Sequence, residues 1–327
     1  MNERKTIAII GCGQLGSRHL QAILKVGVPL TIYVVEPNFE ARTMAHQRAS
    51  EIPISQDIVI EWHSNLSQIP HAADLTIVAT LAQERPAILE RLLLQGHRRF
   101  LIEKIVCQSS AQYRRLISLF KKNGATGWLN ITRRYFPVYQ QALLVSNQSP
   151  VFLSVWAGDF GLASNAIHYF DIFEAMIKGR EQITLSGDLL TPQIQANRRG
   201  KGLVEFSGTI LGRTPKGSLA SVTFYPQSQI SGVVMITTKS FRAFINEGAG
   251  KALVAYEDRG WRWEEQTYQE LYTSQLTTEI ARTILNEGTC LLPTLEHSYS
   301  LHKELFRIFN RHLKKLTGRR PDLCPIT

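Results

Sequence analysis

The sequence predicts an α/β chain of two domains. The first is a parallel sheet flanked by helices, and the second an α+β domain on a mostly antiparallel sheet. Three observations carry this. Short apolar runs alternate with helix-patterned segments through the first part of the chain, the mark of βαβ units. A glycine-rich turn follows the first apolar run and opens a helix. Beyond about residue 150 the alternation stops and strand-like segments follow one another.

The elements are expected in this order. "KTIAII" (5–10) reads as a buried parallel strand, and "SRHLQAILKVG" as a helix stopped by Gly27. "LTIYVVEP" (30–37) is the second strand and 39–51 a helix. "DLTIVAT" (74–80), "RFLIEK" (99–104) and "GWLNITRR" (127–134) are further strands, separated by "RPAILERLLLQG" and "SAQYRRLISLFKKNG" as helices. "VFLSVWAG" is a strand, and "GLASNAIHYFDIFEAMIKG" a helix with Ser164 as its N-cap. "GLVEFSGTIL", "GSLASVTFYP", "SGVVMITT", "FRAFINEG" and "KALVAYED" then read as strands divided by turn signals, before two C-terminal helices.

A chain of 327 residues exceeds one comfortable core, so domains are expected over 1–130 and 131–327, with C-terminal helices able to pack back on the first. An apolar content of 44% with 20% charged residues suits a globular chain, not a disordered one. The net charge of +10 is spread along the sequence; its densest run, "RHLKKLTGRR", has no interleaved aromatics, so no nucleic-acid partner is expected. The four cysteines, Cys12, Cys107, Cys290 and Cys324, fit neither a disulfide scaffold nor a zinc site, and no metal is expected. The opening apolar run is too short for a signal peptide, and no run of about 18 apolar residues occurs, so a cytoplasmic location with no membrane contact is expected.

"GCGQLG" places Gly11, Gly13 and Gly16 in the G-x-G-x-x-G spacing between a strand and a helix, the dinucleotide-binding (Rossmann) fingerprint. Gly11 permits the tight turn, Gly13 the close approach of a pyrophosphate, and Gly16 tight helix–strand packing. Glu36 lies 20 residues after Gly16 near the end of the second strand. A carboxylate there accepts the ribose hydroxyls and repels a 2′-phosphate, favouring NAD(H) over NADP(H). Cys12 is read as a small filler of the turn rather than a redox group.

"IAIIGCGQLGSRHL", "LIEKIV", "NITRRYFP" and "GLASNAIHYFD" together resemble the glucose–fructose oxidoreductase and inositol dehydrogenase (Gfo/Idh/MocA) family over nearly the whole chain. The resemblance implies a Rossmann domain, then an α+β domain whose open sheet serves in oligomerisation. It also implies NAD(P)-dependent oxidation or reduction of a sugar or cyclitol. A sheet with one open face makes a homodimer or homotetramer the expected assembly. The family's Glu-Lys-Pro motif matches Glu103 and Lys104, with Ile105 in place of proline. Its catalytic histidine and following aspartate match His168 and Asp171. Ser164 stands where many members carry an aspartate, and Arg85 where many carry a histidine. The variant pattern is closer to members serving surface-glycan synthesis.

Hydride transfer at an alcohol carbon needs a proton acceptor and a group that stabilises the developing alkoxide. Lys104, at a strand's carboxyl edge, suits the second role, and His168 the first. Asp171 shares a helix face with His168. Alone, that segment reads better as a core helix carrying two satisfied polar residues; the resemblance makes it a site. The expected catalytic residues are Lys104, His168 and Asp171. Expected cofactor contacts are Gly11, Gly13, Gln14, Leu15, Gly16, Glu36, Thr80 and Glu103. Expected substrate contacts are Asn130, Arg133 and Asn165, with Arg133 or Arg134 suited to an anionic group on a sugar-type substrate. Trp156 and Phe160 are expected as core aromatics. The competing expectation is a dinucleotide-binding sensor or scaffold without turnover.

Overall fold

The computed structural model describes residues 4–53, 56–145, 150–158, 161–179, 181–197, 199–269, 272–319 and 321–327; Phe160 lies outside them. In chain order the first elements are β1 (Lys5–Ile10), α1 (Gly16–Ile23), β2 (Leu30–Val35), α2 (Phe39–Ser50), β3 (Ile58–His63), β4 (Leu75–Val78), α3 (Arg85–Leu94), β5 (Arg99–Ile102), α4 (Ser110–Lys122) and β6 (Thr126–Leu129). Next come α5 (Pro137–Val145), β7 (Phe152–Ala157), α6 (Leu162–Met176), β8 (Thr184–Leu190), β9 (Gln195–Ala196), β10 (Val204–Glu205), β11 (Gly208–Arg213) and β12 (Leu219–Phe224). The chain ends with β13 (Val233–Thr237), β14 (Phe241–Asn246), β15 (Lys251–Tyr256), β16 (Glu264–Thr267), α7 (Thr273–Glu287) and α8 (Tyr299–Thr317).

Two compact units form, and neither is continuous in sequence. One comprises Met1–Cys107, Ala111–Asn130 and Leu271–His297, the other Gln108–Ser110, Ile131–Glu270 and Ser298–Thr327.

The first unit holds a six-stranded sheet in the order β3-β2-β1-β4-β5-β6, every neighbouring pair parallel. β1 lies between β2 and β4, so the strand order reverses on either side of it. Ligands bind outside the carboxyl ends of such sheets at that reversal. Ile7, Ala8 and Ile9 are fully buried because parallel strands are covered on both faces. β3 was not among the expected strands: it lies at the sheet edge, "IVIEWH" has no buried residue, and its apolar run is only Ile58–Ile60. The expected strand 127–134 stops at Leu129, and a 3-10 turn occupies Thr132–Tyr135. Within this unit α7 packs on α1. Pro293 and Leu295 exchange backbone hydrogen bonds with Leu129 and Gly127, which covers the free edge of β6.

The second unit carries an eight-stranded sheet in the order β16-β15-β14-β13-β7-β12-β11-β8. Only the β7–β12 pair is parallel. Period-two alternation sends Leu153, Val155, Val222, Ile236 and Val254 into the core. The same alternation turns Phe152, Leu211, Leu219, Met235, Phe244 and Leu253 outward, all exposed. Trp156 belongs to that outward set. It is 43% exposed, which corrects its expected place in the core: on β7 its parity matches Phe152, not Val155. Among the described residues no helix is long and apolar enough to cross a membrane.

Candidate functional site

The glycine turn is built as its spacing requires. Gly11 has φ +81°, and a Cβ there would lie 2.8 Å from Thr80 Cγ2. A Cβ on Gly16 would lie 1.9 Å from the Gly11 carbonyl oxygen, so only glycine lets α1 start so close to the turn. A Cβ on Gly13 meets nothing within 4 Å. Glu36 is buried and anchored: Oε2 accepts from the Cys12 amide at 2.7 Å and Oε1 from the Asn38 amide at 2.9 Å. Both bonds leave its carboxylate beside the turn, where the ribose hydroxyls of a dinucleotide would be read. Arg48 of α2 holds Gln14, donating to its carbonyl oxygen at 2.9 Å and its Oε1 at 2.7 Å. Leu15 is the residue from which α1 starts. Burial, with Glu36 adding to it and Arg48 opposing, pushes the Cys12 thiol up to about 12, so it stays protonated.

Thr80, Glu103–Lys104 and Asn130 follow the ends of β4, β5 and β6 in turn. Burial works to raise the Glu103 carboxyl, but the His19 hydrogen bond and charge, Lys104 and Asn130 together hold it below the usual carboxylate range. Glu103 Oε1 pairs with His19 Nε2 at 3.0 Å and accepts from Asn130 Nδ2. His19 Nδ1 lies 2.8 Å from Thr277 Oγ1. Arg85 is buried, and its guanidinium donates to the carbonyl oxygens of Glu103 at 2.6 Å, Ile105 and Thr80. It thereby stitches the end of β4 to the two residues flanking Lys104. The Lys104–Ile105 peptide bond is cis.

In the second unit the helix α6 is nearly all core. From Leu162 to Glu174 only Asn165 and His168 are not buried, and they stand one turn apart on one stripe. His168 is therefore partly exposed, although its Nδ1 is buried. The expected N-cap moves: Gly161 precedes the helix with φ +83°, and Ser164 lies inside it. The free amides of the first turn are satisfied from elsewhere. Leu162 N donates to Phe206 O at 3.2 Å, Ala163 N to Glu205 Oε2 at 2.9 Å, and Ser164 N to Glu205 Oε2 at 3.3 Å. Ser164 Oγ also donates to Glu205, and Asn197 Nδ2 donates to it at 3.0 Å. A carboxylate from β10 thus does what a local Ser cap was expected to do, and its charge suits the helix dipole.

Two other expected residues are engaged within the unit. Asp171 is fully buried, and both carboxylate oxygens accept from Arg134, at 2.7 and 2.8 Å. Arg133 donates twice to Glu247, at 2.8 Å each, with its guanidinium 3.8 Å above the Tyr169 ring. The Tyr139 and Tyr169 hydroxyls add bonds of 2.7 and 2.8 Å to the same carboxylate. Burial opposes ionisation of Glu247, but Arg133 and the two tyrosines hold its carboxyl below the usual range. Arg133 thus commits its Nε and one terminal amino group to a buried carboxylate within the unit.

His19, Glu205 and Glu247 were not picked out from the sequence. His19 had a signal: it shares the inward stripe of α1 with Gly16, Leu20 and Ile23, where a polar residue needs a partner. Glu247 had none, since its partners are distant in sequence, and Glu205 meets α6 across 41 and 42 positions. Among the described residues no three His, Cys, Asp or Glu gather to hold a metal ion.

The residues present fit a dinucleotide. The glycine cradle, the anchored Glu36, and two buried polar atoms without a hydrogen-bond partner among the described residues, Thr80 Oγ1 and Asn130 Oδ1, all lie at the carboxyl edge of one sheet.

Residues 5–131 match the family model described as the oxidoreductase family, NAD-binding Rossmann fold (Gfo/Idh/MocA). A search of the curated proteins finds no match. Solved structures share the fold. An oxidoreductase from Agrobacterium radiobacter, in complex with NAD+, L-tartaric acid and magnesium, is 12% identical with a TM-score of 0.74 over 96% of this chain and 97% of its own. Levoglucosan dehydrogenase, in complex with NADH and levoglucosan, is 12% identical with a TM-score of 0.73 over 99% and 100%. UDP-N-acetylglucosamine 3-dehydrogenase from Acidithiobacillus ferrooxidans is 13% identical with a TM-score of 0.71 over 94% and 97%. At such identities they show the fold alone.

Proposed function

Because residues 5–131 belong to the Gfo/Idh/MocA family of NAD-binding oxidoreductases, we propose that the chain moves hydride between NAD(H) and a hydroxyl or keto carbon of a sugar or sugar derivative. The observation that carries this is the row Gly11, Thr80, Glu103–Lys104, Asn130 along the carboxyl edge of the parallel sheet. It joins a pyrophosphate turn to a buried lysine whose neighbouring carbonyls Arg85 holds. Levoglucosan dehydrogenase and UDP-N-acetylglucosamine 3-dehydrogenase, which share the fold, support a sugar as substrate.

The nicotinamide supplies the hydride chemistry. Gly11, Gly13, Gln14, Leu15 and Gly16 hold the pyrophosphate, and Glu36 reads the adenosine ribose. Lys104 stabilises the substrate oxygen as it gains or loses charge. Its position is set by its neighbours: Arg85 pins the backbone on either side, and Glu103 supplies the balancing charge. His168 takes or returns the hydroxyl proton, with Asn165 one turn away to hold a substrate hydroxyl. Asp171 supports by position, since its bidentate pair with Arg134 fixes the helix that carries His168. Arg133 is given no substrate role.

The test is nicotinamide absorbance in the near ultraviolet while sugars and nucleotide sugars, the latter for a role in surface-glycan synthesis, are offered with NADH and with NADPH. At least one panel member is turned over, with NADH preferred through Glu36. Saturable NADH binding with no turnover on any member would instead establish the sensor reading.

The exposed apolar face of the eight-stranded sheet supports a homo-oligomer, since monomers seldom leave so many large apolar side chains outward on one face. Light scattering is expected to return at least twice the 37.0 kDa of one chain, and Met235→Glu with Leu253→Glu to reduce that mass. A single-chain mass for the unaltered protein would refute it.

A further inference from the structure

Asn130 Oδ1 and Thr80 Oγ1 are buried polar atoms with no hydrogen-bond partner among the described residues. Native interiors rarely leave such atoms unpaired, so each points to a ligand or a trapped water. Their identity can be worked out. The Asn130 amide has one orientation open to it, because its neighbour Glu103 Oε1 is an ionised carboxylate oxygen that only accepts. Nδ2 must therefore face Glu103, which leaves Oδ1 as a fixed acceptor in want of a donor. Thr80 presents a hydroxyl, which is able to donate.

Their place on the sheet narrows the ligand. Thr80 packs against the glycine turn, with its Cγ2 2.8 Å from where a Gly11 Cβ would lie. Glu36, which reads the adenosine ribose, follows β2 on one side of that turn; Thr80 and Asn130 follow β4 and β6 on the other. A dinucleotide laid with its pyrophosphate on the turn and its adenosine beside Glu36 has only its other base to put over β4 to β6. That base carries a primary carboxamide, with one acceptor oxygen and one donor nitrogen.

We propose that Asn130 Oδ1 accepts from the carboxamide N–H of the nicotinamide while the Thr80 hydroxyl donates to its carbonyl oxygen, so that these two residues fix which way the ring faces. Glu103, and behind it His19, orient Asn130 for this task. The proposal rests on the reading of the chain as an NAD(H) enzyme and adds the residues that recognise the ring.

Calorimetry with NAD+ and with 3-acetylpyridine adenine dinucleotide tests it without any substrate. The analogue keeps the carbonyl and replaces the amide nitrogen by a methyl group. The unaltered protein is expected to bind NAD+ roughly tenfold more tightly than the analogue, and Asn130→Leu to lose that preference by weakening NAD+ alone. Thr80→Val should weaken both dinucleotides alike, by roughly three- to tenfold. Asn130→Ala reads the same coupling if the leucine variant does not fold. A preference for NAD+ that survives in the Asn130 variants overturns the assignment, leaving a buried water as the partner of Oδ1, while the NAD(H) reading stands. Failure of the unaltered protein to bind either dinucleotide overturns both.

Discussion

Lys104→Met lowers turnover by about 10²–10⁴-fold while leaving NADH binding within a factor of about three. The argument is one of location. Lys104 stands at the end of β5, where the Arg85 guanidinium grips the carbonyl oxygens of the residues before and after it. The backbone that carries this buried lysine is thus pinned on both sides, and a preorganised charge contributes most where charge develops in the transition state. Pyrophosphate and ribose contacts lie at Gly11–Gly16 and Glu36, so cofactor affinity should survive. Stopped-flow turnover together with NADH fluorescence titration separates the two quantities. A variant that loses NADH binding and turnover in parallel would show that Lys104 serves the cofactor rather than the reaction.

Glu247→Ala destabilises the second unit by about 3–5 kcal/mol. The carboxylate takes two bonds from Arg133 and one each from Tyr139 and Tyr169, all half-buried or buried. Removing it strands a guanidinium and two hydroxyls in an interior that offers no replacement partner. Urea unfolding measures the loss. The double change Arg133→Met with Glu247→Leu should recover part of it, because apolar groups in that volume leave no unpaired charge. A double variant that loses as much as Glu247→Ala would show that the stranded charge is not what the single change costs.

The fold was legible where burial imposes a pattern. "KTIAII" and "LTIYVV" lie in the middle of a parallel sheet, covered on both faces, and such strands show as unbroken apolar runs. β3, on the edge, has an apolar run of only Ile58–Ile60 and no buried residue, and β16, "EEQT", has no buried residue either. The turn from strand to 3-10 structure near Asn130 was also hidden, since the paired arginines that fix it answer to Asp171 and Glu247, far away in sequence.

The candidate site divides in the same way. Local motifs carry Gly11, Gly13, Gly16, Glu36 and Lys104. The contacts that orient the site join residues far apart in sequence: His19 reaches Glu103 across 84 positions, and Ser164 reaches Glu205 across 41. Ser164 was a reasonable cap by type, and Arg133 a reasonable anion grip by type. Glu205, brought in by the fold, takes over the cap, and Glu247 engages two of the nitrogens of Arg133.

The most direct test of hydride transfer is isotopic. NADH carrying deuterium at both C4 positions is incubated with the protein and a panel of keto sugars and keto nucleotide sugars, and the products are weighed by mass spectrometry. The account predicts a product from at least one panel member with deuterium on the new carbinol carbon, formed by the unaltered chain and not by Lys104→Met. NADH that binds saturably and is recovered with its deuterium in place for every sugar offered would contradict it.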